Sequence, residues 1–435
     1  MPIVYTPTVG LACEKFGAIY RHPKGLYITI NDNSISKIYQ ILSNWPITNV
    51  QKLLDDPFYI GLRRKRVRGE EYDLLIDNFM KAVTKKFGRD TLIQFEDFAF
   101  AHAYTLLDRY KNDYCTFNDD IQGTAAIVLA GLLATTRVTR KKMSEMKIVF
   151  LGAGAAGLGI AELCVTQMVD EGLSEQEARD RIFLLNSKGL ITKDRVAKEE
   201  RLTARHGLFA KDLPETPGLL DVIKMVKPNA LMGISTVHGA FTPEIIREMA
   251  AINERPIIFA LSNPTDKSEC TAEEAYKYTD GKVLFASGSP FPDVKLNGKV
   301  YKPGQGNNSY IFPGVALGAI LFKAKHIPDK AFLLAARQVA SSVTEEALHD
   351  YSRLYPRLRD IREISVHIAI DIGNYLYENN LATLHPEPHD KEMFIRQQVY
   401  NYEYEPSMND LYEWPKEDVH EGFPVPPLPS LDDEV

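Results

Sequence analysis

Residues Lys147–Ile160 read KIVFLGAGAAGLGI, and this stretch decides the fold. Four apolar residues predict a buried strand, and three glycines follow at G-x-G-x-x-G spacing before an apolar helix. In dinucleotide-binding proteins the first glycine permits a tight turn, the second lets the backbone approach a pyrophosphate, and the third lets helix and strand pack closely. Glycines also end strands without binding anything, but the strand before and the helix after favour cofactor binding. The predicted contacts are Gly152, Gly154, Ala155, Ala156 and Gly157.

Outside this stretch, apolar strand patterns alternate with helical ones. The predicted strands lie at 25–30, 91–95, 181–185, 230–234, 256–261 and 283–286, and the predicted helices before the glycines at 72–87, 99–110 and 122–136. Such alternation predicts an α/β protein with a parallel, doubly wound sheet. Residues 171–180 are predicted to be an insertion, and residues 309–380 to be largely helical.

Composition excludes several classes of partner and compartment. The 435 residues carry a net charge of −7, which argues against nucleic-acid and anionic-membrane partners. The four cysteines lie far apart, which predicts reduced thiols inside a cell. No apolar run approaches the roughly 18 residues of a membrane span, and the N-terminus has no signal-peptide pattern. We therefore expect a cytoplasmic protein, or a mitochondrial one if the true N-terminus is missing.

Four carboxylates are candidate metal ligands. Glu96 and Asp97 follow a strand between two phenylalanines, and Asp119 and Asp120 begin a helix. Carboxylates beside large aromatic rings are costly unless they are paired or liganded, and oxygen ligands alone suit Mg²⁺ or Mn²⁺. Aspartates also commonly complement a helix N-terminus. The residues by themselves leave both interpretations open.

Two asparagine positions are candidate ligand contacts. Asn263 follows a strand of the predicted parallel sheet, on the edge where ligands bind in this architecture. Asn307 and Asn308 lie in a glycine-rich loop before an apolar helix. Asparagine is also an ordinary turn residue, and without further information the turn interpretation is the stronger one for both positions.

Several long motifs occur in one order and resemble those of malic enzyme of the eukaryotic type. They are VYTPTVG (4–10), FEDF (95–98), FNDDIQGT (117–124), the GAGAAG turn, FALSNPT (259–265), FASGSPF (285–291), PGQGNN (303–308) and IFPGVALG (311–318). The resemblance extends from residue 1 to about residue 415. It implies oxidative decarboxylation of (S)-malate to pyruvate and CO₂ with reduction of NADP or NAD and dependence on Mg²⁺ or Mn²⁺.

The resemblance also implies roles for individual residues. Glu96, Asp97 and Asp120 match the divalent-metal ligands, and Tyr5 matches the tyrosine that protonates C3 after decarboxylation. Asp119 matches an acidic partner in the catalytic network. Asn263 and Asn308 match asparagines that contact substrate and the nicotinamide side of the cofactor.

The sequence departs from the family at two places. The family, whose members form homo-tetramers, has a helical region before VYTPTVG, so we expect much of the subunit interface to be missing and the usual tetramer not to form. Between Val50 and Gln51 the family has a segment with the motifs D-G-x-R-I-L-G-L-G-D-L-G and G-K-L-x-L-Y, which supplies the arginine that binds the substrate carboxylate and the lysine that acts as general base. Neither motif occurs in the 435 residues. Loss of a general base typically costs ~10²–10⁴ in rate, so we predict little or no malate oxidation.

Domain bounds and cofactor preference follow from these motifs. We predict an incomplete α/β substrate domain at 1–118, a Rossmann domain at 119–307, a helical segment at 308–400 that returns to the substrate domain, and an acidic Pro-rich tail at 401–435. Asn186 ends a strand where NAD-preferring sites often have an acid, and Ser187 and Lys188 could bond a 2′-phosphate, so NADP is preferred over NAD.

Two alternatives to a malic enzyme remain. One is a catalytically inactive nucleotide-binding or regulatory subunit, or a splice form, and the missing lysine and arginine motifs favour it for this polypeptide. The other is a metal-free hydroxy-acid dehydrogenase, which Glu96, Asp97 and Asp120 together disfavour.

Overall fold

A computed structural model describes residues 12–14, 19–22, 25–30, 55–58 and 69–399 of the chain. Tyr5, the junction between Val50 and Gln51 and the predicted tail at 401–435 lie outside the described residues. Within the described part, two large β-sheets, a two-stranded sheet and fifteen α-helices give an α/β fold.

The first sheet has five strands in the order β1-β2-β3-β4-β5. β1 pairs antiparallel with β2, and β2 with β3, whereas β3, β4 and β5 are parallel. The carboxyl ends of β3, β4 and β5 therefore meet at one edge of the sheet. The strands are β1 (Ala12–Glu14), β2 (Ile19–His22), β3 (Gly25–Ile30), β4 (Leu92–Phe95) and β5 (Thr116–Asn118).

The second sheet has seven strands in the order β14-β11-β10-β9-β6-β7-β8. All pairs are parallel except β7 with β8, as the sequence predicts for a doubly wound fold. The short strand β14 was not predicted, because its two residues lie in a glycine-rich stretch. The strands are β6 (Ile148–Leu151), β7 (Ile182–Asn186), β8 (Gly189–Leu190), β9 (Ala230–Gly233), β10 (Ile257–Ala260), β11 (Leu284–Ser287) and β14 (Gly304–Gln305); β12 (Val294–Leu296) and β13 (Lys299–Tyr301) form a separate hairpin.

Helices cover both faces of the second sheet. In β6, Ile148 and Phe150 contribute to one buried cluster and Val149 to the other, as alternation along a strand requires. The helices are α1 (Glu70–Phe87), α2 (Phe100–Tyr110), α3 (Thr124–Thr139), α4 (Ala155–Asp170), α5 (Glu175–Asp180), α6 (Lys193–Lys198), α7 (Ala204–Gly207), α8 (Leu219–Val226), α9 (Pro243–Ile252), α10 (Ala272–Tyr278), α11 (Phe312–Leu321), α12 (Asp329–Ser341), α13 (Glu345–His349), α14 (Ile361–Glu378) and α15 (Lys391–Arg396).

Two helical features were not predicted from the sequence. The predicted insertion at 171–180 contains the helix α5, which begins with a capping box between Ser174 and Glu177. Residues Asp119–Thr139 form a continuous helical segment that is long and apolar enough to cross a membrane by length and composition, contrary to our expectation. Most of that segment is buried, and α3 packs against α4 and α12, which is typical of a core helix.

Candidate functional site

The glycine turn, residues 152–157, lies between β6 and α4 at the carboxyl edge of the second sheet. Gly152 has φ +121°, and a Cβ there would lie 2.3 Å from the carbonyl oxygen of Ile234. A Cβ on Gly157 would lie 2.4 Å from the carbonyl oxygen of Gly152, so no larger residue fits at either position. Gly154 has no neighbouring atom within 4 Å of such a Cβ. The turn is therefore tight on its inner side and open at the start of α4, where a pyrophosphate would approach.

The residues at the end of β7 form a second set of polar side chains on the carboxyl edge of the second sheet. The Asn186 Oδ1 accepts hydrogen bonds from the Lys188 backbone N–H at 2.9 Å and from the Arg195 guanidinium at 2.8 Å. Ser187 and Lys188 are exposed, and Lys188 forms a 3.0 Å salt bridge with Glu199. Sequence reasoning missed Arg195 and Glu199, because their nine and thirteen residues of separation from Asn186 match no motif.

Asn263 lies just beyond β10, on the edge that the sequence predicts. Its side chain is exposed, and its Oδ1 accepts a hydrogen bond from the Ser289 hydroxyl at 2.5 Å. A Cβ on Gly288 would lie 2.8 Å from the Asn263 amide nitrogen, so Gly288 leaves room for this side chain. The loops after β10 and β11 thus meet at Asn263.

The second candidate centre is the carboxylate cluster, which comprises Glu96, Asp97, Asp119 and Asp120. One carboxylate oxygen from each of Glu96, Asp97 and Asp120 lies within 4.8 Å of the others. The backbone N–H of Asp97 donates to the Asp120 Oδ2 at 2.6 Å, and Asp97 adopts φ +54°, a left-handed conformation that aspartate tolerates. The cluster arises because β4 and β5 are parallel neighbours whose carboxyl ends carry these residues.

Asp119 connects the cluster to the loop after β14. It is fully buried, and its Oδ2 accepts a short hydrogen bond from the Asn308 side-chain amide. Its Oδ1 has no hydrogen-bond donor within the described residues, and a Cβ on Gly123 would collide with that oxygen. The structure therefore brings Asp119 and Asn308 together, as the sequence predicts for residues of one site.

Asp119 and Asp120 lie in the first turn of the π-helical segment Asp119–Gly123, where negative charge complements a helix N-terminus, so the helix-terminus interpretation and the metal-ligand interpretation are compatible. Asn118 caps the π-helical turn Asp119–Gly123, because its Oδ1 accepts from the Ile121 N–H at 2.9 Å. The side chains of Asp119 and Asp120 instead bond to Asn308 and to the Asp97 backbone. Asn118 therefore makes the capping hydrogen bond, and the carboxylates of both aspartates contribute to the cluster.

Burial and mutual repulsion raise the pKa values in the cluster. Burial, followed by the nearby Asp120, raises the pKa of Glu96 to about 8, and burial raises the pKa of Asp120 to about 6. The pKa of Asp119 is raised well above its ordinary value by burial and by Glu96. No Lys, Arg or His of the part of the chain that the structure describes forms a salt bridge with these four residues. The donor set and its uncompensated charge fit a hard divalent cation.

The remaining predicted residue is Tyr5, which lies outside the described residues. Two groups of site residues are thus distinguished. Glu96, Asp97, Asp119, Asp120 and Asn308 form one polar centre, and the glycine turn, the end of β7 and Asn263 lie along the carboxyl edge of the second sheet.

These features define an α/β protein with a Rossmann-type dinucleotide-binding domain. The family model described as "Malic enzyme, NAD binding domain" matches residues 121–377, and "Malic enzyme, N-terminal domain" matches residues 1–51 and 46–111. The chain therefore belongs to the malic enzyme family, whose activity is the NAD(P)-dependent oxidative decarboxylation of malate.

Similar proteins include malic enzymes of both cofactor types. The chain is 55% identical to the NAD-dependent malic enzyme, mitochondrial, of Ascaris suum, with 98% of this chain and 74% of the relative covered. It is 46% identical to the NADP-dependent malic enzyme, mitochondrial, of Mus musculus, with 96% and 77% covered. The relative from Anas platyrhynchos, 47% identical with 96% and 84% covered, is named NADP-dependent without a compartment.

Solved structures show the same fold. The malic enzyme of Pyrococcus horikoshii superimposes with a TM-score of 0.62 at 24% identity, covering 86% of this chain and 80% of that one. The malic enzyme of Entamoeba histolytica gives 0.60 at 24% identity, and there the match covers 76% of this chain and 62% of the other.

The alignments also locate a gap. The alignment to the Ascaris suum enzyme spans 480 positions, more than the 435 residues of this chain, so the chain is gapped against it. The N-terminal family model matches in two pieces that meet at residues 46–51. That position is the Val50–Gln51 junction, where the sequence lacks the two motifs described above.

Proposed function

We propose that this chain binds a nicotinamide dinucleotide and a divalent cation as malic enzymes do, but oxidises malate at a strongly reduced rate. The observation that carries the proposal is the contrast between the two halves of the site. The glycine turn and the carboxylate cluster are in place, whereas the motifs that supply the cationic residues of the family are missing at the Val50–Gln51 junction.

Glu96, Asp97 and Asp120 would hold the cation. Their oxygens are close enough to share one ion, and the fully buried carboxyl group of Asp119 lies beside Glu96, so the cluster needs protons or a cation to offset its charge. A divalent cation bound there supplies Lewis-acid polarisation of a substrate oxygen. Asn308 orients Asp119 through its amide hydrogen bond, and Tyr5 is the proposed proton donor to C3.

The glycine turn and the end of β7 would hold the dinucleotide. The open space in front of Gly154 and the start of α4 suit a pyrophosphate, and we propose that Asn186, Ser187 and Lys188, at the end of the neighbouring strand β7, contact the adenosine ribose. A bound nicotinamide supplies the hydride acceptor. We propose NADP over NAD because Asn186 carries no charge to repel a 2′-phosphate, and Asn263 is proposed to lie on the nicotinamide side.

The missing arginine and lysine set the expected rate. Without a guanidinium to hold the carboxylate and an amine to remove the hydroxyl proton, substrate positioning and general-base catalysis are both lost. Loss of the base alone reduces the rate by ~10²–10⁴. The decisive experiment is a steady-state assay with malate, Mn²⁺ and NADP⁺ or NAD⁺, together with dinucleotide and Mn²⁺ binding measured on the same preparation.

Each outcome of that experiment has a clear meaning. Binding of NADP⁺ and Mn²⁺ with turnover at least ~10²-fold below that of a full-length relative supports the proposal. Turnover at the rate of the relative contradicts it, as does failure to bind either ligand. A chimaera that carries the relative's segment between Val50 and Gln51 should regain turnover, which ties the loss to the junction.

A second function is favoured by the same missing motifs. A chain that binds dinucleotide without turning over malate would act as a nucleotide-binding subunit associated with an intact malic enzyme. The test is co-expression with a full-length relative, followed by measurement of co-purification and of the relative's cofactor affinity.

A further inference from the structure

Glu269 is a buried carboxylate that the proposed chemistry does not use. It is fully buried, with 0% of its surface exposed, and it lies in the β10 loop, residues 261–271. Its Oε1 accepts hydrogen bonds from the Ser235 backbone N–H at 2.8 Å, from the Ser235 hydroxyl at 2.9 Å and from the Ser262 hydroxyl at 2.5 Å. Within the described residues no Lys, Arg or His forms a salt bridge with it. A buried carboxyl group without an ionic partner needs several hydrogen bonds at once to offset the cost of its burial.

These hydrogen bonds connect two loops. Ser235 belongs to the β9 loop, residues 234–242, and Ser262 follows β10, so the Glu269 carboxylate joins the ends of two neighbouring parallel strands. The space that the carboxylate occupies exists because β9 ends in glycine: a Cβ on Gly233 would lie 2.6 Å from the Glu269 Cδ. The Glu269 side chain therefore fits here only because residue 233 is glycine.

The β9 loop contains backbone strain that this network holds in place. Thr236 adopts φ +58°, a left-handed conformation that is rare for a β-branched residue. Its backbone N–H donates to the Ser262 hydroxyl at 2.8 Å, and the same hydroxyl donates to Glu269. Strain of this kind persists only where the surroundings fix it, and it is common where a loop is shaped for a ligand.

The position of the two loops identifies the ligand portion they face. The strand order reverses between β6 and β9, so the dinucleotide would cross the sheet edge there. The end of β7, on one side of β6, corresponds to the adenosine ribose, so the β9 and β10 loops on the other side correspond to the nicotinamide half. The β9 loop also touches the glycine turn, since the Ile234 carbonyl oxygen packs against Gly152.

We propose that Glu269 is a positioning residue for the nicotinamide half of the dinucleotide. It does not contact the cofactor; it fixes Ser235, Thr236 and Ser262 so that the β9 and β10 loops, including Asn263, present one surface to the nicotinamide. The inference rests on the proposed dinucleotide binding, and it assigns to Glu269 a role that concerns only one half of that ligand.

The test compares two ligands that differ by that half. We would measure dissociation constants for NADPH and for ADP-ribose 2′-phosphate, which lacks the nicotinamide, with wild type, Glu269→Gln, Ser262→Ala and the control Glu273→Gln. Glu273 is an exposed residue four positions away, so the control makes the same Glu-to-Gln substitution outside the network. We expect Glu269→Gln and Ser262→Ala to weaken NADPH binding by about tenfold and ADP-ribose 2′-phosphate by less than about twofold, with the control unchanged.

The outcomes separate this inference from the function on which it rests. If wild type binds neither ligand, both the proposed cofactor binding and the role of Glu269 fail. If wild type binds both and Glu269→Gln binds NADPH equally well, or loses both ligands in parallel, only the positioning role is overturned. If Glu269→Gln does not fold, Ser262→Ala and Ser235→Ala decide the question, because each removes one hydroxyl and keeps the carboxylate.

Discussion

The carboxyl groups of the two polar centres of the molecule have different kinds of partners. On the dinucleotide edge, Glu199 has Arg195 and Lys188 as partners, and Glu269 is surrounded by serine N–H and O–H donors. In the carboxylate cluster, Glu96 and Asp120 lie near each other without a described cationic partner, and burial raises the pKa values of both.

This difference in partners indicates whether each centre is already organised before its ligand binds. A carboxylate with satisfied hydrogen bonds keeps its geometry whether or not a ligand is bound, so the dinucleotide edge is organised in advance. Neighbouring buried carboxylates cannot all ionise without a compensating charge, so the cluster must bind either protons or a cation. Cofactor binding should therefore depend little on pH, and cation binding strongly.

The largest expected effect is the pH dependence of stability without metal. The folded-state pKa of Glu96 is about 8 and that of Asp120 about 6, both above their unfolded values of 4.5 and 3.8. Between these limits the folded chain retains protons that the unfolded chain has lost, so the free energy of unfolding falls as pH rises. In EDTA we expect a loss on the order of a few kcal/mol from pH 5 to pH 8, measured by urea unfolding.

Mn²⁺ should reverse this trend. Because a cation binds the deprotonated carboxylates, its stabilising effect should grow with pH over the same range. Glu96→Gln should flatten the EDTA curve and weaken Mn²⁺ binding, whereas the exposed Glu273→Gln should leave both unchanged. An EDTA curve that is flat in wild type, or equally steep in Glu96→Gln, would contradict the assignment of the raised pKa to this cluster.

The two centres also differ in how much of each could be predicted from the sequence. The doubly wound sheet followed from local patterns, because each strand and its following helix lie in one continuous stretch around GAGAAG. Metal ligation by Glu96 and Asp120 stays a prediction, but their proximity required pairing of β4 with β5, which the sequence does not display by itself. Glu269 was missed because its partners lie 34 and 7 residues away and form no known pattern.

Glycine substitutions should separate fold from binding on the dinucleotide edge. Gly152→Ala places a Cβ 2.3 Å from the Ile234 carbonyl oxygen at φ +121°, so it should destabilise the domain by about 1–3 kcal/mol and abolish NADPH binding. Gly154→Ala meets no atom within 4 Å, so the free energy of unfolding should change by less than about 1 kcal/mol. NADPH affinity should nevertheless fall by about tenfold or more, because the new methyl group fills the space at the start of α4.

Gly207→Ala provides the control for this pair, since its Cβ would make only an ordinary 3.7 Å contact with Val196. Fluorescence titration with NADPH and urea unfolding on the same samples give both quantities. Equal affinity in Gly154→Ala and wild type would show that the pyrophosphate does not approach this part of the turn.

The smallest expected effect concerns the choice between NADP and NAD. Glu199 forms salt bridges with Lys188 at 3.0 Å and with Arg195 at 2.9 Å, and these partners lower the pKa of Glu199 to about 2, so it is ionised throughout the physiological range. The negative charge of Glu199 therefore partly neutralises the Lys188 ammonium, which is the cation that a 2′-phosphate would contact. Glu199→Gln should release Lys188 and tighten NADP⁺ binding by about threefold while leaving NAD⁺ unchanged, since exposed ion pairs contribute little.

Lys188→Met is the opposite change and should weaken NADP⁺ selectively. Arg195 keeps the Gly189 and Leu190 carbonyl oxygens and Asn186 as acceptors in both variants, so the end of β7 should hold its shape. Parallel changes in NADP⁺ and NAD⁺ affinity would mean that Lys188 does not face the 2′ position. Tighter binding of NAD⁺ than of NADP⁺ by the wild-type chain would contradict the proposed preference for NADP itself. It would mean that the neutral Asn186 and the nearby Lys188 do not favour the phosphorylated cofactor.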